Sequence, residues 1–312
     1  HPSYGRDNCI LRRHTYVQFS GRSDLRSIRS SNEYPSESMK KQAMSLSVPF
    51  KIAFCLLVTV AITSLSSPYL SEWHFEDMDF DSMEAKPSLT HWFGTDQVGR
   101  DVYVRTMRGT SISLAVSLLA TTISIIIGVL WGTLSGYLGG KADELMMRTV
   151  DILYSLPFIL IVILLTVVFG PNIYLLFATL GAIYWLVMAR IVRGQTLKLK
   201  NAPFILAAKI QGAGTLNIII RHVIPNIKSP IVIYGTITVP AIILAESFIS
   251  FLGLGIQEPQ TSLGVLISDG IPSMETSPWL LAFPSVCLIV IIWSLNTLGD
   301  ELRDRLDPKT EK

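Results

Sequence analysis

Residues 152–189 read ILYSLPFILIVILLTVVFGPNIYLLFATLGAIYWLVMA, without one Asp, Glu, Lys or Arg. A helix rises about 1.5 Å per residue, so roughly 20 apolar residues cross a hydrocarbon core of about 30 Å. This run is too long for one crossing, and Gly170-Pro171-Asn172 at its centre is turn chemistry. It therefore divides into two helices of spanning length. Working outward, residues 52–71, 109–140, 229–245 and 276–299 are also uncharged, which brings the number of expected spans to six. The fifth continues past Glu246 to about Leu254, because Ser247 to Ile256 is apolar or small and nothing breaks the pattern before Pro259. The alternative, buried helices in a large soluble core, fits poorly with so many long runs.

Composition agrees. The 312 residues are 49% hydrophobic and only 16% charged, against roughly 25% charged in soluble domains, and the mean hydropathy is +0.44. That disfavours a soluble enzyme and excludes a disordered chain. A net charge of +2 provides no dense basic patch for nucleic acid. Cys9, Cys55 and Cys287 are odd in number and far apart, so neither a disulfide framework nor a thiolate metal site is expected.

Basic residues accumulate on the cytoplasmic side of a membrane protein. Six spans with both termini inside place 22 of the 26 Lys and Arg in the cytoplasm and four, Lys86, Arg100, Arg105 and Arg108, outside. Five or seven spans would scramble this alternation. Residues 1–47 form a cytoplasmic N-terminal arm, expected to be disordered because Ser, Arg, Asn and Tyr dominate it without apolar periodicity. It is not a secretory signal. Met39-Lys40-Lys41 reads as a natural beginning, making 1–38 an upstream extension or a dispensable tail, with a regulatory arm as the alternative.

The outer segment from Glu72 to Arg108 carries eight acids and ends in HWFGTDQVGRDVYVRTMRGTSISL, residues 91–114. Val102, Val104 and Met107 have the spacing of an interfacial helix lying before span two. Gly128, Gly132, Gly136 and Gly140 recur every four residues along one face of that span, a seam on which helix backbones approach closely in lipid. Ser135 to Ala142, SGYLGGKA, superficially resembles a phosphate-binding loop, but Ser135 and Ala142 replace the required Gly and hydroxyl and no strand precedes it. The chain is not expected to bind ATP. Asp151 lies beside Arg148 at the mouth of span three, where a local ion pair is expected.

Residues 190–229 carry seven basic residues, no acid and much apolar content. Pro203 opens a short helix with Phe204, Ala207 and Ala208 on one face. Gly212-Ala213-Gly214 breaks it, and Thr215 caps a second helix that contains Ile218, Ile219 and Arg221 and stops at Pro225. Two short helices with a glycine joint describe either a docking element or a surface helix held on anionic lipid.

The run FILAAKIQGAGTLNIIIRHVIPN, residues 204–226, resembles the EAA motif of ABC importer permeases, with Ala207, Ala208, Gly212, Val223, Ile224 and Pro225 in its positions. Leu206 stands where the motif has Glu, which removes whatever polar contact that Glu would make. FGTDQVGRDV, SGYLGGKADELMMRTVDILYSLP, ESFISFLGLG, LGVLISDG and GDELRDRLDP follow in order between Trp92 and Pro308 and are similar to the C-type subunit of the oligopeptide and dipeptide permeases.

The resemblance implies an all-α membrane protein, a type I ABC importer transmembrane domain of six helices. Residues 48–110 would be the first span and outer segment, 111–300 the transporter domain with coupling loop 190–229, and 301–312 a cytoplasmic tail. It further implies a second homologous permease, two cytosolic ATPase subunits and an extracytoplasmic solute-binding protein in a bacterial cytoplasmic membrane. ATP would be used only by the partners, and the coupling loop would present Phe204, Leu206, Ala207, Ala208, Gly212, Ala213, Gly214 and Pro225 to them. Pro157, Pro240 and Pro284 can bend their helices.

Glu246 is the lone acid within a span, and ionisable groups at depth suggest function by default. It reads as a packing or hydrogen-bonding element, a residue lining the path, or a solvated interfacial group. An ion-coupled secondary transporter would need more intramembrane acids or broken-helix ion sites. An intramembrane enzyme would need a nucleophile or metal set, and His74, His91 and His222 form none with acids. The same family serves nickel complexes and other small solutes, so cargo is expected to be di- or oligopeptides with these as the alternative.

Overall fold

The computed structural model describes residues 47–306. The expectations for the N-terminal arm and for residues 307–312 lie outside them. Helix α1 (Val48–Leu70) is the first span; Ser47 caps it, its Oγ accepting from the Phe50 amide and donating to Glu301 at 2.6 Å. An irregular segment with one 3-10 turn (Phe80–Ser82) leads to α2 (Val102–Leu138). At 37 residues α2 is about 55 Å long and forms the spine of the molecule. Asp101 starts it, accepting from the Val104 amide at 2.9 Å while its other oxygen pairs with His91 Nδ1 at 2.9 Å. The expected interfacial helix is thus no separate element. Val104 and Met107 are the first buried turns of α2, packed with Tyr103, because Asp101 already supplies the cap and nothing later interrupts the backbone.

After α2 come α3 (Gly140–Ser155), α4 (Phe158–Phe169) and α5 (Ile173–Leu199). The third span is not one straight helix: α3 and α4 meet at 80° across Leu156-Pro157. Proline lacks the amide that would bond the carbonyl four residues back and its ring collides with that carbonyl. Gly170-Pro171-Asn172 does separate α4 from α5, with Asn172 Oδ1 accepting from the Tyr174 amide. Next are α6 (Pro203–Ile210) and α7 (Thr215–Ile218), followed by a π turn (Ile219–Val223) and a short turn (Ile224–Asn226). The fifth span is α8 (Lys228–Phe251), α9 (Leu263–Gly270) lies outside it, and α10 (Trp279–Leu306) is the last. Pro240 and Pro284 sit inside continuous helices. Because α10 runs to Leu306, residues 301–306 of the expected tail are helical.

Among the described residues five helices are long and apolar enough to span a membrane, or six if the bent pair counts as one crossing. Among the described residues there is no strand, only an isolated bridge between Thr95 and Asp101. α2 packs most extensively on α5. A Cβ on Gly128, Gly132 or Gly136 would lie 2.4–2.9 Å from Met188, Ala189 or Thr196 of α5, so three of the four glycines make the expected seam. Gly140 does not: it starts α3, where the chain has left α2, and nothing lies within 4 Å of its would-be Cβ. On the N-terminal half of α2, Ile112, Val116 and Ala120 pack with Leu180, Ile242 and Ile249.

Candidate coupling loop, buried acid and outer cap

The end of the molecule that carries residues 200–228 is built from the backbone of α5 outward. The region expected to be loop, 190–229, is shorter in fact: α5 holds its first ten residues and α8 begins at Lys228. Within it Pro203 opens α6 as expected, but the face divides differently. Ile205 and Ala208 are buried in a cluster with Val129, Met188, Val192 and Ile218, whereas Phe204, Leu206 and Ala207 are exposed. Positions i and i+3 share a helical stripe, and it is this stripe that α2 and α5 anchor. Lys209 lies over the Tyr137 ring at 4.9 Å, tying α6 to the end of α2.

Gly212 closes α6 with φ +81°. Its amide bonds the Lys209 carbonyl and the Ala213 amide bonds the Ala208 carbonyl, each at 3.0 Å. This is a Schellman closure, whose left-handed residue is cheapest as glycine. Ala213 packs back on the Ile205 cluster, whereas Gly214 precedes α7 in an extended conformation. The second helix passes the expected stop: at Ile219–Val223 it widens to a π turn, with the Ile224 amide bonded to the Ile219 carbonyl, and Pro225 sits in the turn that follows. The widening places the irregularity just before the residue that has no amide to donate. Ile218, Ile219, Val223 and Ile227 face inward. The outward side is left apolar, with Ile210 88% and Leu216 69% exposed beside an open recess of about 630 Å³.

Beside this loop Asp143 binds Arg193 with a two-pronged contact of 2.6 and 2.7 Å and accepts from Ser135. That bracket joins α3, α5 and the end of α2, and sequence reading missed it because the partners lie 50 residues apart. Asp151, expected beside Arg148, instead pairs with Arg190 at 2.8 Å, and Arg190 lies over the Tyr154 ring. Arg148 turns to Glu144, one helical turn away.

Glu246 is fully buried. Ser113 and Ser250 each donate to it at 2.8 Å and Ser247 lies at 3.4 Å. A carboxyl group surrounded by serine hydroxyls from α2 and its own helix, with no exposed surface, is a satisfied interior group.

At the opposite end of α2, Asp96 organises a charge cluster. It accepts from its own loop at the Val98 and Arg100 amides and pairs with the Arg100 and Arg105 side chains. Arg100 also reaches Glu258 at 2.7 Å, and Gln97 reaches Ser273 at 2.9 Å, so the segment before α2 and the region around α9 close into one cap. Asp269 is about half exposed, yet the packing around it pushes its carboxyl above the usual range, against the pull of Arg105. The spacing Asp96, Arg100, Arg105 is visible in the sequence; its partners Glu258 and Asp269 are more than 150 residues away.

The family described as "Binding-protein-dependent transport system inner membrane component" matches residues 104–312. The oligopeptide transport system permease protein OppC of Escherichia coli K12 is 52% identical over 256 residues, 81% of this chain and 85% of that one. The dipeptide transport system permease protein DppC of Bacillus subtilis is 42% identical over 275 residues, 88% and 84% respectively. Among solved structures, a chain of the MetNI methionine ABC transporter in an inward-facing conformation superposes with a TM-score of 0.53 at 19% identity, covering 64% of this chain and 95% of that one. Its likeness concerns the fold, that of a type I ABC importer membrane subunit. With its helix order, its inner loop and a match over two thirds of its length, the chain belongs to the inner membrane components of binding-protein-dependent transport systems.

Proposed function

We propose that this chain is the permease subunit of an ATP-driven importer that carries di- and oligopeptides across the bacterial cytoplasmic membrane. It works beside a second homologous permease, above two cytosolic ATPase subunits and below an extracytoplasmic binding protein. Both termini lie in the cytoplasm, and ATP is bound and hydrolysed by the partners alone. The observation that carries this reading is the inner loop: an apolar surface at Phe204, Leu206, Ile210 and Leu216, mounted on the α2–α5 core through Ile205 and Ala208. A surface fixed that way moves with the helices behind it. Closure of the ATPases on ATP then shifts the population between inward-open and outward-open states, provided that ATP favours one of them. The peptide cargo rests on the named relatives, oligopeptide and dipeptide permeases. Glu246, held by serines, fixes α8 against α2 and does not select cargo.

Gly212→Trp tests the coupling role. No atom lies within 4 Å of the would-be Cβ, so inside this chain the cost is the left-handed backbone alone, about 1–2 kcal/mol. The large ring projects from the loop toward whatever docks there. The variant is expected at near-normal membrane levels, without ATPase co-purification and without ATP-dependent uptake. Normal uptake in a reconstituted complex, with all seven basic residues of the loop retained, would instead assign this loop to the lipid surface.

A further inference from the structure

The outer cap encloses a cavity of about 410 Å³ lined by Asp96, Arg100, Arg105, Glu258, Ser268 and Asp269 among others. Arg105 is 2% exposed. One of its terminal nitrogens, Nη1, is paired with Asp96, but Nη2 has no hydrogen-bond partner; Glu258 and Asp269 lie 3.7 and 4.0 Å away, beyond hydrogen-bond reach. A buried donor without an acceptor costs about 1–3 kcal/mol, and buried polar groups in native proteins nearly always have a partner. Arg100, by contrast, is occupied on Asp96 and Glu258.

The charges around the cavity decide what fits. Three carboxylates face two guanidiniums, so the cluster is one negative charge in excess. The excess is at the open side, where the Glu258 and Asp269 side chains are 60% and 52% exposed. Bringing in an anion to meet Arg105 would add charge to an already negative cluster. A neutral carbonyl oxygen satisfies Nη2 without that penalty, and an ammonium group satisfies the exposed carboxylates. One chemical group carries both within a few bonds: the N-terminus of a peptide, whose α-ammonium stands next to its first carbonyl.

We infer that this cavity is a subsite for the amino terminus of a peptide, with the ammonium group received by Asp269 and Glu258 and the first carbonyl oxygen by Arg105 Nη2. The inference rests on the reading of this chain as a peptide permease and adds where, and by which end, the cargo is held on the outer face. It also supplies a hydrogen-bond acceptor to the one Arg105 nitrogen that has ion-pair neighbours but no hydrogen bond.

The test uses the full importer complex in lipid nanodiscs, without binding protein, and trialanine as the probe, followed by saturation-transfer NMR. Trialanine and its C-terminal amide are expected to bind alike. N-acetyl-trialanine, which keeps the carbonyl and loses the ammonium, is expected to bind about ten-fold more weakly, the scale of one lost charge-assisted hydrogen bond. Asp269→Asn should abolish the discrimination at unchanged thermal stability, because Asp269 makes no hydrogen bond of its own that the fold depends on; Glu275→Gln, an exposed outer acid away from the cavity, should leave it intact. Equal binding of acetylated and free trialanine overturns the subsite. So does an Asp269→Asn complex that discriminates as well as wild type, or one that keeps the discrimination and, when binding protein is titrated in a separate measurement, loses only its affinity for that protein, which would make the cavity a protein-docking contact. ATP-dependent trialanine uptake by the complete wild-type system is measured separately. Uptake without ammonium-dependent binding removes the subsite and leaves the permease reading standing, whereas ammonium-dependent binding without uptake supports the subsite and removes the cargo assignment.

Discussion

Replacing Gly132 by alanine adds one methyl group to the α2–α5 seam, and the structure sets what it meets. The Cβ would lie 2.4 Å from the Ala189 carbonyl oxygen, 2.9 Å from Val192 Cβ and 3.0 Å from the Arg193 nitrogen. Two of these three are backbone atoms of a packed helix, so no rotamer change relieves them. Ordinary contact begins at 3.4 Å, so α2 and α5 must part locally by about 1 Å. A radial gap of that size forfeits about a quarter to a half of each dispersion contact it opens. In lipid no hydrophobic force draws the helices back together, since packing itself drives their association. Overpacking of this kind costs about 1–3 kcal/mol. Unfolding by denaturant titration in mixed micelles should report that loss for Gly132→Ala. Gly194→Ala on α5 is the control: nothing lies within 4 Å of its would-be Cβ, and better helix propensity makes it neutral or stabilising by up to about 1 kcal/mol. If the two variants unfold at the same free energy as wild type, the seam does not depend on close backbone approach and the reasoning fails.

Further expectations concern the charged contacts and topology. Glu246→Gln should retain folding and uptake because an amide still accepts from Ser113 or Ser250, whereas Glu246→Leu leaves both hydroxyls to find other acceptors and should lower stability by about 1–3 kcal/mol in the same titration. Asp143→Ala frees Arg193 and Ser135 at the inner end of the α2–α5 pair; limited proteolysis of membrane vesicles should then cut residues 139–156 faster than in wild type, and unchanged cleavage would show that the bracket is dispensable. In a cysteine-free background, Thr276→Cys should react with an impermeant thiol reagent in intact cells and Asn217→Cys, also exposed, should not. The reverse pattern would invert the proposed orientation.

Much of this architecture is local and therefore legible in the chain itself. Runs of uncharged residues define the spans because the bilayer penalises every charge within them. Gly170-Pro171-Asn172 separates two helices through the short-range conformational limits of those three residues, and Gly212 closes α6 for a similar reason. Glycines at 128, 132 and 136 mark a seam because a spacing of four repeats on one helical face. Tertiary structure decided the rest. Pro240 and Pro284 remain within continuous helices, so a proline alone does not announce a break; at Pro157 the chain turns by 80°, and Val162 of α4 is buried with Leu176 and Leu180 of α5. Ala208 faces inward while Phe204 and Ala207 face out because the α2–α5 core selects the Ile205 stripe, and the apolar sequence of α6 permits either choice. Asp143 with Arg193, Asp151 with Arg190, Glu246 with Ser113, and Arg100 with Glu258 are all pairings across elements. Charge and spacing along the chain name their members, but which members meet is fixed only when helices far apart in sequence are brought side by side.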